Sequence, residues 1–98
     1  MLETQFKIKA IKYLRKIPNA WFYKANDRTT AGVPDIIMCV DGFFIAIELK
    51  SPTGKTSKIQ DYTLERIRKA GGACGVARTI EEVLCILQQK SQVKSEKK

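Results

Sequence analysis

The chain has 98 residues, of which 44% are apolar and 29% are charged, proportions typical of one small globular domain. It contains no histidine, which excludes His-containing zinc sites, Ser-His-Asp triads and histidine general bases. With 18 Lys and Arg against 10 Asp and Glu, its net charge of +8 favours a polyanionic partner.

The apolar runs and the cysteines indicate the cellular location of the chain. No apolar run approaches the roughly 20 residues that a membrane span needs, and the N-terminus has no signal-peptide pattern. Cys39, Cys74 and Cys85 are odd in number, lie in apolar runs and form no C-x-x-C pair. We expect all three to be small buried hydrophobes, which indicates a reducing, cytoplasmic location.

The first predicted element is an amphipathic helix over residues 3–17. Apolar residues recur at helical spacing from Phe6 to Ile17, and Pro18 stops the pattern. Glu3 projects along the apolar arc of this helix. Two explanations stay open: the carboxylate is favoured by the dipole at the helix N-terminus, or it reaches inward to a functional site.

Residues 20–26 (AWFYKAN) suit a strand, and residues 27–34 (DRTTAGVP) suit a loop because they are polar and end in Gly and Pro. The strand carries three consecutive aromatic residues, Trp21, Phe22 and Tyr23. Aromatic side chains of this kind can stack on nucleic-acid bases, but we expect these three to pack in the core.

A hairpin follows. Residues 35–40 and 43–50 are apolar runs separated by Asp41-Gly42, a dipeptide that favours a tight turn between antiparallel strands. Antiparallel pairing across this turn folds Asp35 back towards Glu48.

The third strand places a charged pair at the end of an apolar run. Glu48 and Lys50 share one face by the period-two rule, and both faces of the strand are apolar before them, which indicates a central strand. A carboxylate buried there is costly unless a cation or Lys50 compensates it. Alternatively, the two charges form a surface ion pair worth less than about 1 kcal/mol, and Asp35 is a turn residue after Pro34.

The remaining elements complete an α-β-β-β-α-β-α order. Ser57 can cap a helix to about Ala70, with Gln60 on its inward side. Residues 73–78 form a fourth strand and 79–89 a last helix, after which we expect a basic, disordered tail over 91–98. This order predicts an α/β domain with a mixed central sheet flanked by helices.

These residues together resemble the PD-(D/E)xK nuclease superfamily, and within it the VRR-NUC (virus-type replication-repair nuclease) family. The resemblance covers roughly residues 3–89. The matching features, in chain order, are an early helix with Glu3, G-V-P-D at 32–35, E-L-K at 48–50, Gly54, Gln60 and A-G-G at 70–72.

The resemblance implies a restriction-endonuclease-like single domain over residues 1–90 that binds Mg²⁺ or Mn²⁺. It implies that Asp35, Glu48 and the backbone carbonyl of Leu49 hold the ion, and that Glu3 completes the site. By the same resemblance, Lys50 orients the attacking water and Gln60 supports the site. Such a cation stabilises charge on phosphate oxygens and lowers the pKa of a bound water.

The implied activity is metal-dependent, structure-specific cleavage of DNA, with a Holliday junction resolvase acting as a homodimer as the favoured reading. A flap- or nick-directed repair nuclease and a non-catalytic DNA-binding module are the alternatives. The candidate phosphate contacts flank the predicted site in sequence and are Lys24, Arg28, Lys55 and Lys58.

Overall fold

The computed structural model describes residues 2–25 and 32–96 and has the predicted order of elements. The elements are α1 (Leu2–Leu14), β1 (Ala20–Lys24), β2 (Ile36–Val40), β3 (Phe43–Leu49), α2 (Lys58–Lys69), β4 (Ala73–Ala77) and α3 (Ile80–Glu96). In these ranges no helix is long and apolar enough to cross a membrane.

The four strands form one mixed sheet in the order β1-β2-β3-β4. β1, β2 and β3 are antiparallel neighbours, and β4 runs parallel to β3. The β2–β3 turn has positive φ at both Asp41 (53°) and Gly42 (85°), as a two-residue type I′ turn requires. The turn sets a register in which Ile36 pairs with Ile47, so Asp35 is adjacent to Glu48.

The two faces of the sheet are covered differently. On the first, Ile45, Ile47 and Leu49 of β3 pack in one cluster with residues of α1 and α3. On the second, Ala46 packs with Leu64 of α2 and Cys74 of β4. We call these the closed face and the open face, because α2 covers the β3–β4 half of the second face and leaves its β1–β2 half exposed.

The partial cover corrects two burial predictions. Trp21 and Tyr23 are 61% and 49% exposed on β1, whereas Phe22 points to the closed face and packs against its core. Cys74 is buried as predicted, but Cys39 and Cys85 are exposed. Cys39 shares the uncovered half of the open face with the two aromatics, since it pairs with Trp21 across β1 and β2.

Two helix ends also differ from the predictions. α1 ends at Leu14 rather than at residue 17. After Leu14, the N–H groups of Lys16 and Ile17 donate to the carbonyls three residues back, those of Tyr13 and Leu14, instead of four residues back as in an α-helix. α3 continues to Glu96, which corrects the expected disorder for residues 91–96. No Gly or Pro follows Arg78 to stop that helix, and its Gln, Lys and Glu residues are good helix formers.

Candidate active site

Asp35 and Glu48 meet at the end of the β2–β3 ladder, and each carboxylate accepts a hydrogen bond from the other strand. The Asp35 N–H donates to Glu48 Oε1 (3.2 Å), and the Leu49 N–H donates to Asp35 Oδ2 (2.9 Å). The predicted approach of the two residues is therefore confirmed. We call this arrangement the crossed carboxylate pair.

Glu48 is buried, and it is the one charged residue in the core of the described chain, with 4% of its surface exposed. Burial raises the pKa of its carboxyl, and the negative charge of Asp35 raises it further. The ammonium of Lys50 opposes this rise, with Nζ 3.4 Å from Glu48 Oε2. The alternative of a surface ion pair is therefore wrong, since the carboxylate lies in the interior.

Gln60 connects the second helix to Glu48. Its Nε2 donates to Glu48 Oε2 (2.9 Å), while its Oε1 accepts from the N–H of Ser57 (2.9 Å). The Ser57 hydroxyl in turn accepts from the Gln60 N–H, which completes a capping box. One side chain thus fixes both the start of α2 and the buried carboxylate. The Ser-x-x-Gln spacing is the sequence signal for the capping half of this role.

Lys7 is a further candidate site residue, which the sequence did not reveal. It projects from α1, and its Nζ lies 3.8 Å from Asp35 Oδ2. Each carboxylate of the crossed pair therefore has an ammonium beside it, Lys50 for Glu48 and Lys7 for Asp35. The signal available in the sequence was helical spacing, because Lys7 follows Glu3 by one turn and so shares its face.

The other predicted residues are placed less fully. Glu3 lies in the first turn of α1, and its side chain is outside the described part of the structure. Arg28 also falls outside the described residues. Lys24 ends β1, Lys55 lies in the loop after β3 and Lys58 begins α2, and all three are exposed. These three positions are at the end of the sheet that carries the crossed carboxylate pair.

The donors at this end of the sheet fit a hard divalent cation. The described side chains include no cluster of three or more His, Cys, Asp or Glu residues, so the site offers two carboxylates. The N–H and the C=O of one strand residue point towards the same neighbouring strand. Because the Leu49 N–H donates to Asp35, the Leu49 carbonyl also points to that side and can supply a third oxygen. Oxygen-only donors suit Mg²⁺ or Mn²⁺, and a cation would relieve the like charges that raise the pKa of Glu48.

Comparison with known proteins gives a structural relative but no sequence relative. No protein-family model and no curated protein matches the chain. A solved structure titled "VRR_NUC domain" superposes with a TM-score of 0.73 at 20% sequence identity, over 90% of this chain and 96% of that one. The chain therefore has the fold of a VRR_NUC domain, which confirms the architecture that the sequence resemblance implied.

Proposed function

We propose that this chain is a nuclease of the VRR-NUC family, a Mg²⁺- or Mn²⁺-dependent endonuclease that hydrolyses phosphodiester bonds in branched DNA. One observation carries the proposal. Two carboxylates on neighbouring strands cross at the end of the sheet, with an ammonium 3.4 Å from the buried one. A protein that only binds DNA gains nothing from burying a carboxylate where a phosphate would approach.

The cation would be held by Asp35, Glu48 and the Leu49 carbonyl, with Glu3 completing the set. When bound, it supplies charge for the phosphate oxygens and lowers the pKa of water. Gln60 holds the Glu48 carboxylate in place through its Nε2. The start of α2 supports this amide because the capping box fixes its other end.

Lys50 has the freedom that a water-orienting group needs. Its side chain is 19% exposed, so the ammonium reaches both the buried carboxylate and solvent. The Lys50 ammonium would donate to the attacking water and hold it in line with the phosphate.

The proposed substrate is a four-way junction, cut by a homodimer. Symmetric incision of a junction needs two sites, and a two-fold dimer supplies them. The proposed phosphate contacts are Lys24, Lys55 and Lys58, which are exposed, together with Arg28. Affinity should then fall steeply with salt, with a log–log slope of about −0.9 for each phosphate neutralised.

A cleavage panel tests the proposal. Four-way junction, flap, splayed-arm and linear duplex substrates are incubated with the protein and Mg²⁺ or Mn²⁺, with Asp35→Asn as the matched inactive control. We expect the junction to be cut fastest, and chelator or Asp35→Asn to stop all cutting.

Three results would redirect the proposal. Cutting that persists in excess chelator would remove the metal mechanism. Faster cleavage of flaps or nicked duplexes than of junctions would favour a repair nuclease. Binding without cleavage of any substrate would leave a DNA-binding module.

A further inference from the structure

A lysine continues the buried stripe of α1 towards the crossed carboxylate pair. Lys7, Ala10 and Leu14 follow one another at spacings of three and four residues, so they share one face of the helix. Ala10 and Leu14 are buried in the core of the closed face. Lys7 therefore starts on the packed side of α1, and its ammonium reaches the end of the sheet, where Nζ lies 3.8 Å from Asp35 Oδ2.

The charges of the described side chains at this end of the sheet cancel. Asp35 and Glu48 are paired with Lys7 and Lys50, at 3.8 Å and 3.4 Å. A divalent cation binds carboxylates because it attracts their negative charge. Where each carboxylate already has an ammonium beside it, an ion gains that attraction in full only when an ammonium gives up its carboxylate. The affinity of the site for a cation therefore depends on how firmly the lysines are paired.

The pair made by Lys7 is the weaker of the two. Its side chains are 31% and 27% exposed, against 19% and 5% for Lys50 and Glu48, and its charged atoms lie farther apart. Water screens an exposed pair more strongly than a buried one. Asp35 Oδ2 also keeps a hydrogen bond from the Leu49 N–H when the ammonium leaves. Lys7 is thus the ammonium that can part from its carboxylate at the smaller cost.

We propose that Lys7 is a positioning residue that competes with the divalent cation for the carboxylate of Asp35. While the pair is closed, Lys7 supplies the positive charge that the two neighbouring carboxylates require and keeps the cation affinity of the site low. When the pair opens, the ammonium turns to solvent, which its partial exposure allows. The inference rests on the proposed function, because it assumes the cation site of Asp35 and Glu48, but it concerns binding alone.

A Mn²⁺ titration without DNA tests the competition, with free Mn²⁺ measured by its electron paramagnetic resonance signal. Lys7→Met removes the ammonium and keeps a long side chain of similar helix propensity. We expect its Kd for Mn²⁺ to fall about fivefold or more, the scale of one lost ion pair and of typical coupling between sites. Lys7→Arg keeps the charge and should bind Mn²⁺ as wild type does.

Lys9→Met is the matched control for the loss of one positive charge. Lys9 lies on the same helix, two residues further on, and is exposed. Its removal lowers the net charge of the chain by the same amount, and we expect less than a twofold change in Kd because solvent screens this charge. Far-UV circular dichroism and melting temperatures confirm that each variant is folded.

The outcomes separate the competition from the proposed function. An unchanged or higher Kd in Lys7→Met, or an equal decrease in Lys9→Met, would overturn the competition while leaving the cation site. Mn²⁺ binding to neither wild type nor Lys7→Met would remove both the competition and the metal mechanism. The expected order of Kd values in a protein that cuts no DNA would keep the competition and remove the nuclease.

Discussion

The closed and open faces of the sheet differ in how they are packed and in the residues that they carry. Among the residues whose burial is described, the closed face joins thirteen from α1, the sheet and α3 into one core, whereas the buried cluster of the open face has three. Glu48, Gln60 and the exposed aromatic residues of β1 and β3 belong to the open face. Stability is thus concentrated where two helices cover the sheet, and the polar chemistry lies where one helix covers half of it. A functional group on a partly covered face can be buried and still be accessible to a ligand from solvent.

The largest expected effect is on cleavage, from a single change on the open face. Lys50→Ala should reduce junction cleavage at least about 100-fold, since a positioned group that orients the nucleophile is removed. Junction binding should stay close to wild type, because the proposed phosphate contacts are other residues. Gel-shift and cleavage assays on the same preparation measure both. An equal loss of binding and cleavage would show that Lys50 is structural.

The next prediction compares how much each face contributes to the free energy of unfolding. Ile47→Ala on the closed face should lower the free energy of unfolding by about 3 kcal/mol, because it empties part of a packed core. Phe44→Ala on the open face should cost about 1 kcal/mol or less, since almost half of its side chain already contacts solvent. Urea unfolding at low protein concentration gives both values. Equal losses would mean that the open face contributes as much stability as the closed one.

A smaller pair of effects isolates the link between α2 and Glu48. Ser57→Ala removes the cap hydroxyl and should cost about 1 kcal/mol without changing cleavage. Gln60→Ala removes its half of the cap and the bond to Glu48 and should cost about 2 kcal/mol. It should also slow cleavage. If both variants slow cleavage equally, the helix start rather than the Gln60 amide controls the site.

The smallest effect is a pH dependence without metal. The raised pKa of Glu48 means that the folded protein holds this proton more tightly than the unfolded chain. The resulting stability is fully present below the ordinary pKa of glutamate and is lost as pH rises through the raised value. The melting-temperature difference between wild type and Glu48→Gln should therefore shift against wild type as pH rises. A difference that is constant with pH would show that the Glu48 pKa is unshifted.

The sequence predicted correctly the features that depend on residues close to one another in the chain. The Asp41–Gly42 turn and the alternation in β3 determine the hairpin register, and that register brings Asp35 to Glu48. Strand parity placed Lys50 beside Glu48 in the same way, and Ser57 was predicted as the cap of α2. Local rules therefore predicted the centre of the candidate site.

Features that depend on packing between distant elements were not predictable in this way. How far α2 extends across the sheet decides that Trp21, Tyr23 and Cys39 are exposed, and no local pattern encodes that distance. Lys7 lies near Asp35 because α1 packs on the closed face of the sheet, a contact between elements that are distant in the chain. Both outcomes follow from the arrangement of whole helices.

The last rung between β2 and β3 is made by side chains. Asp35 and Leu49 donate their amides to carboxylates instead of to backbone carbonyls, so a ligand that occupies those oxygens can release both amides while the backbone bonds of the sheet stay intact. Hydrogen exchange at these two amides should then accelerate on ligand binding, while the amides of Ile45 and Ile47 stay protected. The end of the sheet would thus report the occupancy of the site.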